Sequence, residues 1–186
     1  EENKPIIALL PGSRVQEIRK MLPLYVQLAA KFKDYQFAIA AAPSISPAYY
    51  KLFTENTTVK IVYDATYDLL QHSSAALVTS GTATLETALF QVPQLVCYKS
   101  SYLSYWIARK ILKLKYISLV NLILDHEVVL ELIQGQCNLN RLEKELNHLL
   151  NSKDSSQQEQ YQQLASLLGS GGVSDKTAAL IHKAIR

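Results

Sequence analysis

The chain has 186 residues, of which 48% are hydrophobic and 19% charged, a balance that suits one sizeable packed core and excludes an intrinsically disordered segment. Its formal charge of +3 is modest for that length, and the basic residues form no stripe, so no nucleic-acid partner is expected. No apolar run approaches the roughly 20 residues that span a bilayer, and Cys97 and Cys137 are too few for a disulfide scaffold and too far apart for a CxxC pair. Glu1, Glu2, Asn3 and Lys4 lead directly into an apolar run rather than an export signal, and the expectation is a soluble chain in a reducing compartment. His72, His126, His148 and His182 have no ligand spacing such as HExxH, so no metal is expected.

Residues 6–10 are continuously apolar and end at Pro11-Gly12, the pattern of a strand buried on both faces. The period then changes. Val15, Ile18, Met21 or Leu22, Tyr25 and Leu28 or Ala29 recur at helical spacing, which predicts an amphipathic helix over about 14–31, loosened in its middle by Pro23. Strands are predicted at 35–41, 59–62, 75–78 and 94–98, with helices at 49–53, 66–71 and 83–90 between them. Strands alternating with helices across about 100 residues argue for a parallel α/β sheet covered on both faces. Beyond residue 100 the reading is mainly helical, with helices at 102–114, 127–134, 139–150, 157–168 and 175–185, and a sixth short strand at 116–119.

Two strand-to-helix turns carry the chemistry. Pro11-Gly12-Ser13-Arg14 leaves the first strand, where free amide donors and the helix dipole favour an anion. Arg14 presents a planar donor fork suited to a diphosphate. Ser13 and Gln16 have capping-box spacing, so an ordinary cap beside a solvated arginine is the alternative. Thr79-Ser80-Gly81-Thr82-Ala83-Thr84-Leu85-Glu86 is the stronger candidate, because Gly81 permits close backbone approach and hydroxyls crowd the turn. With Thr82 as cap, Glu86 lies just beyond the box position and is free to accept from the vicinal hydroxyls of a ribose, unless it merely complements the helix dipole. Neither turn is GxxxxGK[ST] or GxGxxG.

Asn121, read at the end of the short strand, offers both donor and acceptor groups. Glu127 and Glu131 are four apart and would share a helical face, most simply a solvated one. The 102–114 segment places Arg109 and Lys113 four apart, with Lys110 and Trp106 nearby, so it could rest on anionic lipid. A surface helix packed against the sheet is the simpler reading.

Leu10-Pro11-Gly12-Ser13-Arg14, Ser80-Gly81-Thr82-Ala83-Thr84-Leu85-Glu86, Pro93 with Tyr98, and Ser118-Leu119-Val120-Asn121-Leu122 through Glu131-Leu132-Ile133-Gln134 resemble, in order and spacing, the signatures of the lipid-A-disaccharide synthase family. The likeness runs from about residue 5 to 150 and continues weakly to the end. It implies a Rossmann-like parallel sheet flanked by helices, the second domain of a GT-B-type glycosyltransferase. Residues 1–156 would be the nucleotide-sugar-binding domain, and 157–186 would be carboxy-terminal helices that either close the sheet or cross back to a first domain. Members transfer a diacylglucosaminyl group from UDP-2,3-diacylglucosamine to 2,3-diacylglucosamine 1-phosphate, in lipopolysaccharide biosynthesis. They form a β-1,6-linked disaccharide and UDP with inversion, and need no metal or other cofactor.

Carried across by position, the resemblance gives the diphosphate to Arg14 and to Ser80, Gly81 and Thr82, the ribose to Glu86, and a place lining the donor pocket to Asn121. Ser13, Glu131 and Gln134 would support that pocket. The family's base belongs to the first domain, so no catalytic residue is assigned. Val120, Asp125-His126 and Leu130 depart from the commoner family pattern and leave the 120–130 loop open. The partners implied are the UDP-sugar donor, the acylated sugar phosphate acceptor, the first domain and the anionic inner face of the cytoplasmic membrane; a homodimer is left open. The rival readings are a UDP-N-acetylglucosamine epimerase, a peptidoglycan glycosyltransferase and a non-catalytic nucleotide-binding module.

Overall fold

The computed structural model describes residues 4–79, 81–99, 115–152, 155–169 and 171–184. Six strands, β1 (Ile6–Leu10), β2 (Gln36–Ala41), β3 (Lys60–Tyr63), β4 (Ser73–Thr79), β5 (Gln94–Tyr98) and β6 (Glu131–Ile133), form one sheet in the order β3-β2-β1-β4-β5-β6. Every neighbouring pair is parallel. The helices are α1 (Val15–Ala29), α2 (Pro47–Thr54), α3 (Thr66–Gln71), α4 (Ala83–Leu89), α5 (Leu119–Leu124), α6 (Leu139–Asn151), α7 (Ser156–Leu168) and α8 (Val173–Ala184).

The unbroken apolar runs of the strands follow from burial on both faces. Ile7 and Leu9 of β1, Phe37, Ile39 and Ala41 of β2, and Ala75 and Leu77 of β4 share a core with Ile18, Met21, Leu22, Tyr25 and Leu28 of α1, Tyr50 of α2, and Leu142 and Leu146 of α6. The alternate residues Ala8 and Leu10, Ala38 and Ala40, and Ala76 and Val78 meet Leu69 and Leu70 of α3 on the opposite face. Further along that face, Val96 of β5 packs with Ala88 of α4, Val120 of α5, and Tyr161 and Leu164 of α7. Leucine-sized burial contributes about 1.5–3 kcal/mol per side chain, so both layers are needed.

Helix α1 runs unbroken through Pro23. The missing donor removes only the bond to the Arg19 carbonyl, and Arg19 is exposed. Two expectations beyond residue 115 are corrected. Residues 116–119 are not a strand: Ser118 caps α5, its side chain accepting from Asn121 N, and Asp125 ends that helix in the left-handed region at φ 55. Residues 127–134 are not a helix, because Glu131–Ile133 pair with Val96, Cys97 and Tyr98 as the sixth strand. Glu127 and Glu131 therefore share no helical face. The helix expected at 102–114 lies outside the described residues.

Helix α7 packs Tyr161 and Leu164 into the core, whereas every side chain described on α8 is exposed, Leu180 at 67% and Ile181 at 54%. No helix among the described residues is long and apolar enough to cross a membrane.

Candidate functional site

Helices α1 and α2 cover one face of the sheet and α3 and α4 the other, so the chain reverses its winding between the adjacent strands β1 and β4. That is a topological switch point, where an open α/β sheet leaves a crevice beyond the strands' carboxyl ends. The register Leu10↔Val78 puts the turns that follow β1 and β4 at the same end of neighbouring strands. Strands in a sheet lie about 4.8 Å apart, so the two turns predicted to carry the chemistry form one rim. The β2–α2 loop joins them: Ser44 Oγ donates to Ser13 O at 3.4 Å, and Ala42 N donates to Tyr50 Oη at 2.8 Å.

Within the first turn, the cap is Arg14 and not Ser13. The carboxylate that completes the box belongs to Glu17 rather than Gln16 in the helix's first turn, accepting from Ser13 N at 3.2 Å and from Arg14 N at 3.3 Å. Two loop amides that the sequence left open to an anion are thereby occupied. Arg14 Nη1 donates to Glu17 Oε1 at 3.3 Å, with the arginine side chain 80% exposed and the glutamate 14%. Gly12 adopts φ +98, and a Cβ there would run into the Glu17 carboxylate, so both backbone and space demand glycine.

In the second turn, Ser80 lies outside the described residues. Gly81 and Thr82 are exposed, and Gly81 takes φ +145 with nothing within 4 Å of where a Cβ would stand. Thr82 is the N-cap of α4 but makes no side-chain cap bond. The hydroxyls of Thr84 and Thr87 donate instead to Gly81 O at 2.9 Å and Ala83 O at 2.7 Å. Glu86 lies one turn in, half-buried, its carboxylate without a hydrogen-bond partner among the described residues. This leaves it able to accept from a ligand.

Asn121 directs its side chain into the fold. Its side chain is fully buried: Oδ1 accepts from Val128 N at 2.8 Å and Val129 N at 3.0 Å, while Nδ2 donates to Val129 O at 2.8 Å and Glu131 Oε1 at 3.0 Å. Glu131 also accepts from Ile117 N at 2.9 Å and Ser118 N at 2.9 Å. One buried carboxylate and one amide thus tie α5 to β6. Gln134 follows directly, buried and left-handed at φ 52.

Beneath the rim, Thr79 ends β4 with its Oγ1 buried beside the buried Tyr25 Oη; the two hydroxyls neighbour each other and the Cys97 thiol without a well-formed hydrogen bond. Burial foremost, and then the nearby Cys97 and Cys137 thiols, push the Tyr25 phenol well above its ordinary range. Both cysteines are free and buried. No group of three metal-ligating side chains occurs among the described residues. A cleft of about 1030 Å3, lined by residues including Lys4, Phe32, Lys33, Thr57, Val59 and Lys60, lies at the amino ends of β2 and β3. It is at the opposite end of the sheet from the switch point, away from both strand-to-helix turns.

Residues 1–185 match the lipid-A-disaccharide synthetase family. The chain belongs to that family. It is 35% identical over 188 residues to the lipid-A-disaccharide synthase of Syntrophus aciditrophicus, covering 96% of this chain and 49% of the relative. It is 32% identical over 191 residues to that of Coxiella burnetii, covering 100% and 50%. The chain therefore spans about half the length of the curated relatives it matches. Its fold is similar to the calicheamicin glycosyltransferase CalG4, with a TM-score of 0.63 at 16% identity over 99% of this chain and 45% of that one. It is also similar to the UDP-GlcNAc 2-epimerase from Neisseria meningitidis bound to UDP-GlcNAc, with a TM-score of 0.54 at 15% identity over 87% and 39%.

In this synthetase-family chain the parallel α/β sheet with helices on both faces is the expected Rossmann-like fold. The residue of this turn that sequence patterns missed is Glu17, whose carboxylate closes the loop before α1. Its signal lies one residue along from the Ser13–Gln16 box: Arg14 and Glu17 stand three apart, as Ser13 and Gln16 do.

Proposed function

We propose that the chain is the carboxy-terminal, nucleotide-sugar-binding half of a lipid-A-disaccharide synthetase, and that it binds UDP-2,3-diacylglucosamine at the β1/β4 switch point. The observation carrying the reading is the single rim formed by Arg14 on one turn and by Gly81, Thr82 and Glu86 on the other. Arg14, together with Ser80, Gly81 and Thr82, holds the diphosphate, and Glu86 accepts from the ribose hydroxyls. Ser13, Asn121, Glu131 and Gln134 keep the surrounding loops in place without touching the nucleotide.

In the full enzyme the acceptor hydroxyl of 2,3-diacylglucosamine 1-phosphate attacks the donor's anomeric carbon from the face opposite the diphosphate. The bond from that carbon to the phosphate oxygen breaks, UDP leaves carrying the negative charge, and the configuration inverts. The hydroxyl's proton goes to a base supplied by the other half. Arg14 faces the charge that grows on the leaving diphosphate, where a fixed donor lowers the barrier. The exposed Leu180 and Ile181 of α8 suit docking on that other half, and the 102–114 segment suits contact with the anionic inner membrane surface.

Calorimetric titration with UDP tests the donor assignment. Arg14→Ala removes a hydrogen bond to a charged group, about 1.5 kcal/mol, and so weakens UDP binding roughly tenfold without unfolding the chain. Glu86→Gln keeps the shape and reduces the preference for UDP over its deoxyribose analogue. UDP affinity unchanged by Arg14→Ala, together with sugar preference unchanged by Glu86→Gln, would sink the site. Competition by the diacylated donor but not by UDP-N-acetylglucosamine separates this reading from an epimerase.

A further inference from the structure

Three donors converge on one carboxylate inside the first turn: the backbone N–H groups of Ser13 and Arg14 and the Nη1 of Arg14 all bond to Glu17. The carboxylate is held inside the turn and the guanidinium is left outside it, at 14% and 80% exposure. A guanidinium has five N–H donors in a rigid fork, so a bond to Glu17 leaves most of the fork unengaged. The two amides have no such reserve, because each has a single N–H.

We propose that Glu17 is a positioning residue for a nucleoside diphosphate: it holds Arg14 by one edge, fixes the Pro11–Arg14 turn through the two amides, and leaves the rest of the guanidinium to the phosphates. Anion recognition at this turn then comes from the arginine fork and not from the helix-terminal amides. Gly12 belongs to the same device, since any side chain there would occupy the space of the Glu17 carboxylate. The inference rests on the donor-binding reading above. The opposite role, a built-in carboxylate that the phosphates must displace, predicts a change of opposite sign.

The test is calorimetric titration of the unaltered chain, Glu17→Gln, Glu17→Ala, Arg14→Ala and the Arg14/Glu17 double alanine variant, each with UDP and with uridine. Glu17→Ala weakens UDP about three- to tenfold, the modest range fitting a pair partly open to solvent, and leaves uridine unaffected. The double variant binds UDP no more weakly than Arg14→Ala alone, because Glu17 acts through Arg14. Glu17→Gln keeps an oxygen for the two amides and serves if the alanine variant fails to fold; it shows a smaller loss confined to UDP. Unchanged or tighter UDP binding in the Glu17 variants, or equal losses for UDP and uridine, would overturn the role assigned to Glu17 and leave the donor site standing. Absence of UDP binding by the unaltered chain would overturn the donor reading and this one with it.

Discussion

Glu131→Gln is expected to destabilise the chain by about 2–4 kcal/mol although it changes one atom type. Glu131 is 9% exposed, and its carboxylate takes the N–H groups of Ile117 and Ser118 and the Nδ2 of Asn121. A glutamine keeps one acceptor oxygen and turns its own NH2 toward those donors, so one or two buried N–H groups lose their partner. Each orphaned donor costs about 1–3 kcal/mol, a large part of the roughly 5–15 kcal/mol that a domain has in total. Asn121→Ala strands Val128 N and Val129 N in the same way and should cost a similar amount. The two losses should not add, because the residues share a hydrogen bond. Urea denaturation with linear extrapolation measures the stabilities, and UDP titration well below the midpoint measures the site. A Glu131→Gln variant within about 0.5 kcal/mol of the unaltered chain would refute the argument. An Asn121→Ala variant of normal stability with lost UDP affinity would return Asn121 to the donor pocket.

The purified chain should form no disaccharide at an enzyme-like rate, since misplacement of reacting groups alone costs about 100-fold; product from a preparation free of the host enzyme would contradict this. Gly12→Ala should lower stability by about 1–3 kcal/mol, through positive φ and collision with Glu17, with UDP affinity falling in parallel; calorimetry and urea denaturation together read both. Burial pushes the Tyr25 and Tyr161 phenols above their ordinary range. Above about pH 10 the unfolded chain therefore releases tyrosine protons that the native chain retains, and stability falls as pH rises. Tyr161→Phe should cost about 1–2 kcal/mol at neutral pH for its lost hydrogen bonds and flatten that alkaline fall in a urea series from pH 8 to 11; an unaltered slope would remove Tyr161 from the account.

The parts of the fold legible in the sequence were those fixed by local pattern. The strands β1, β2, β4 and β5 each carry an unbroken apolar run because their alternate residues enter different cores, and α1 shows its buried stripe at helical spacing despite Pro23. The 115–134 region resisted because its structure is decided by partners elsewhere. Val128, Val129, Leu132 and Ile133 recur at a spacing that also suits a helix, and a three-residue strand has no period of its own. Pairing with Val96–Tyr98 and the Asn121–Glu131 hydrogen bonds make it a strand. Both rim turns were legible because a strand, a glycine and a polar helix start stand in sequence. The use of Asn121 was not, since a residue with both donor and acceptor groups reads alike at a pocket and in a buried knot.

The helix bearing Glu86 is held by residues far along the chain. Gln94 Nε2, at the start of β5, donates to Thr84 O in α4 at 3.0 Å and to Tyr161 Oη in α7 at 3.2 Å. Tyr161 Oη in turn donates to Gln157 Oε1 at 2.9 Å, and that oxygen accepts from Gln94 N at 3.0 Å. The bonds from Gln94 to Thr84 and Tyr161 are buried beside the core formed by α4, α5, α7 and β5, where a hydrogen bond is poorly replaced by water. The short α4, only seven residues long, has too little hydrogen bonding of its own to hold a fixed direction. Its position, and with it the distance from Glu86 to Arg14, therefore depends on the tail helix as much as on the sheet. Under the proposed site a nucleotide would span from α4 at its ribose to the turn before α1 at its diphosphate, so α7 would set the geometry of that site through α4.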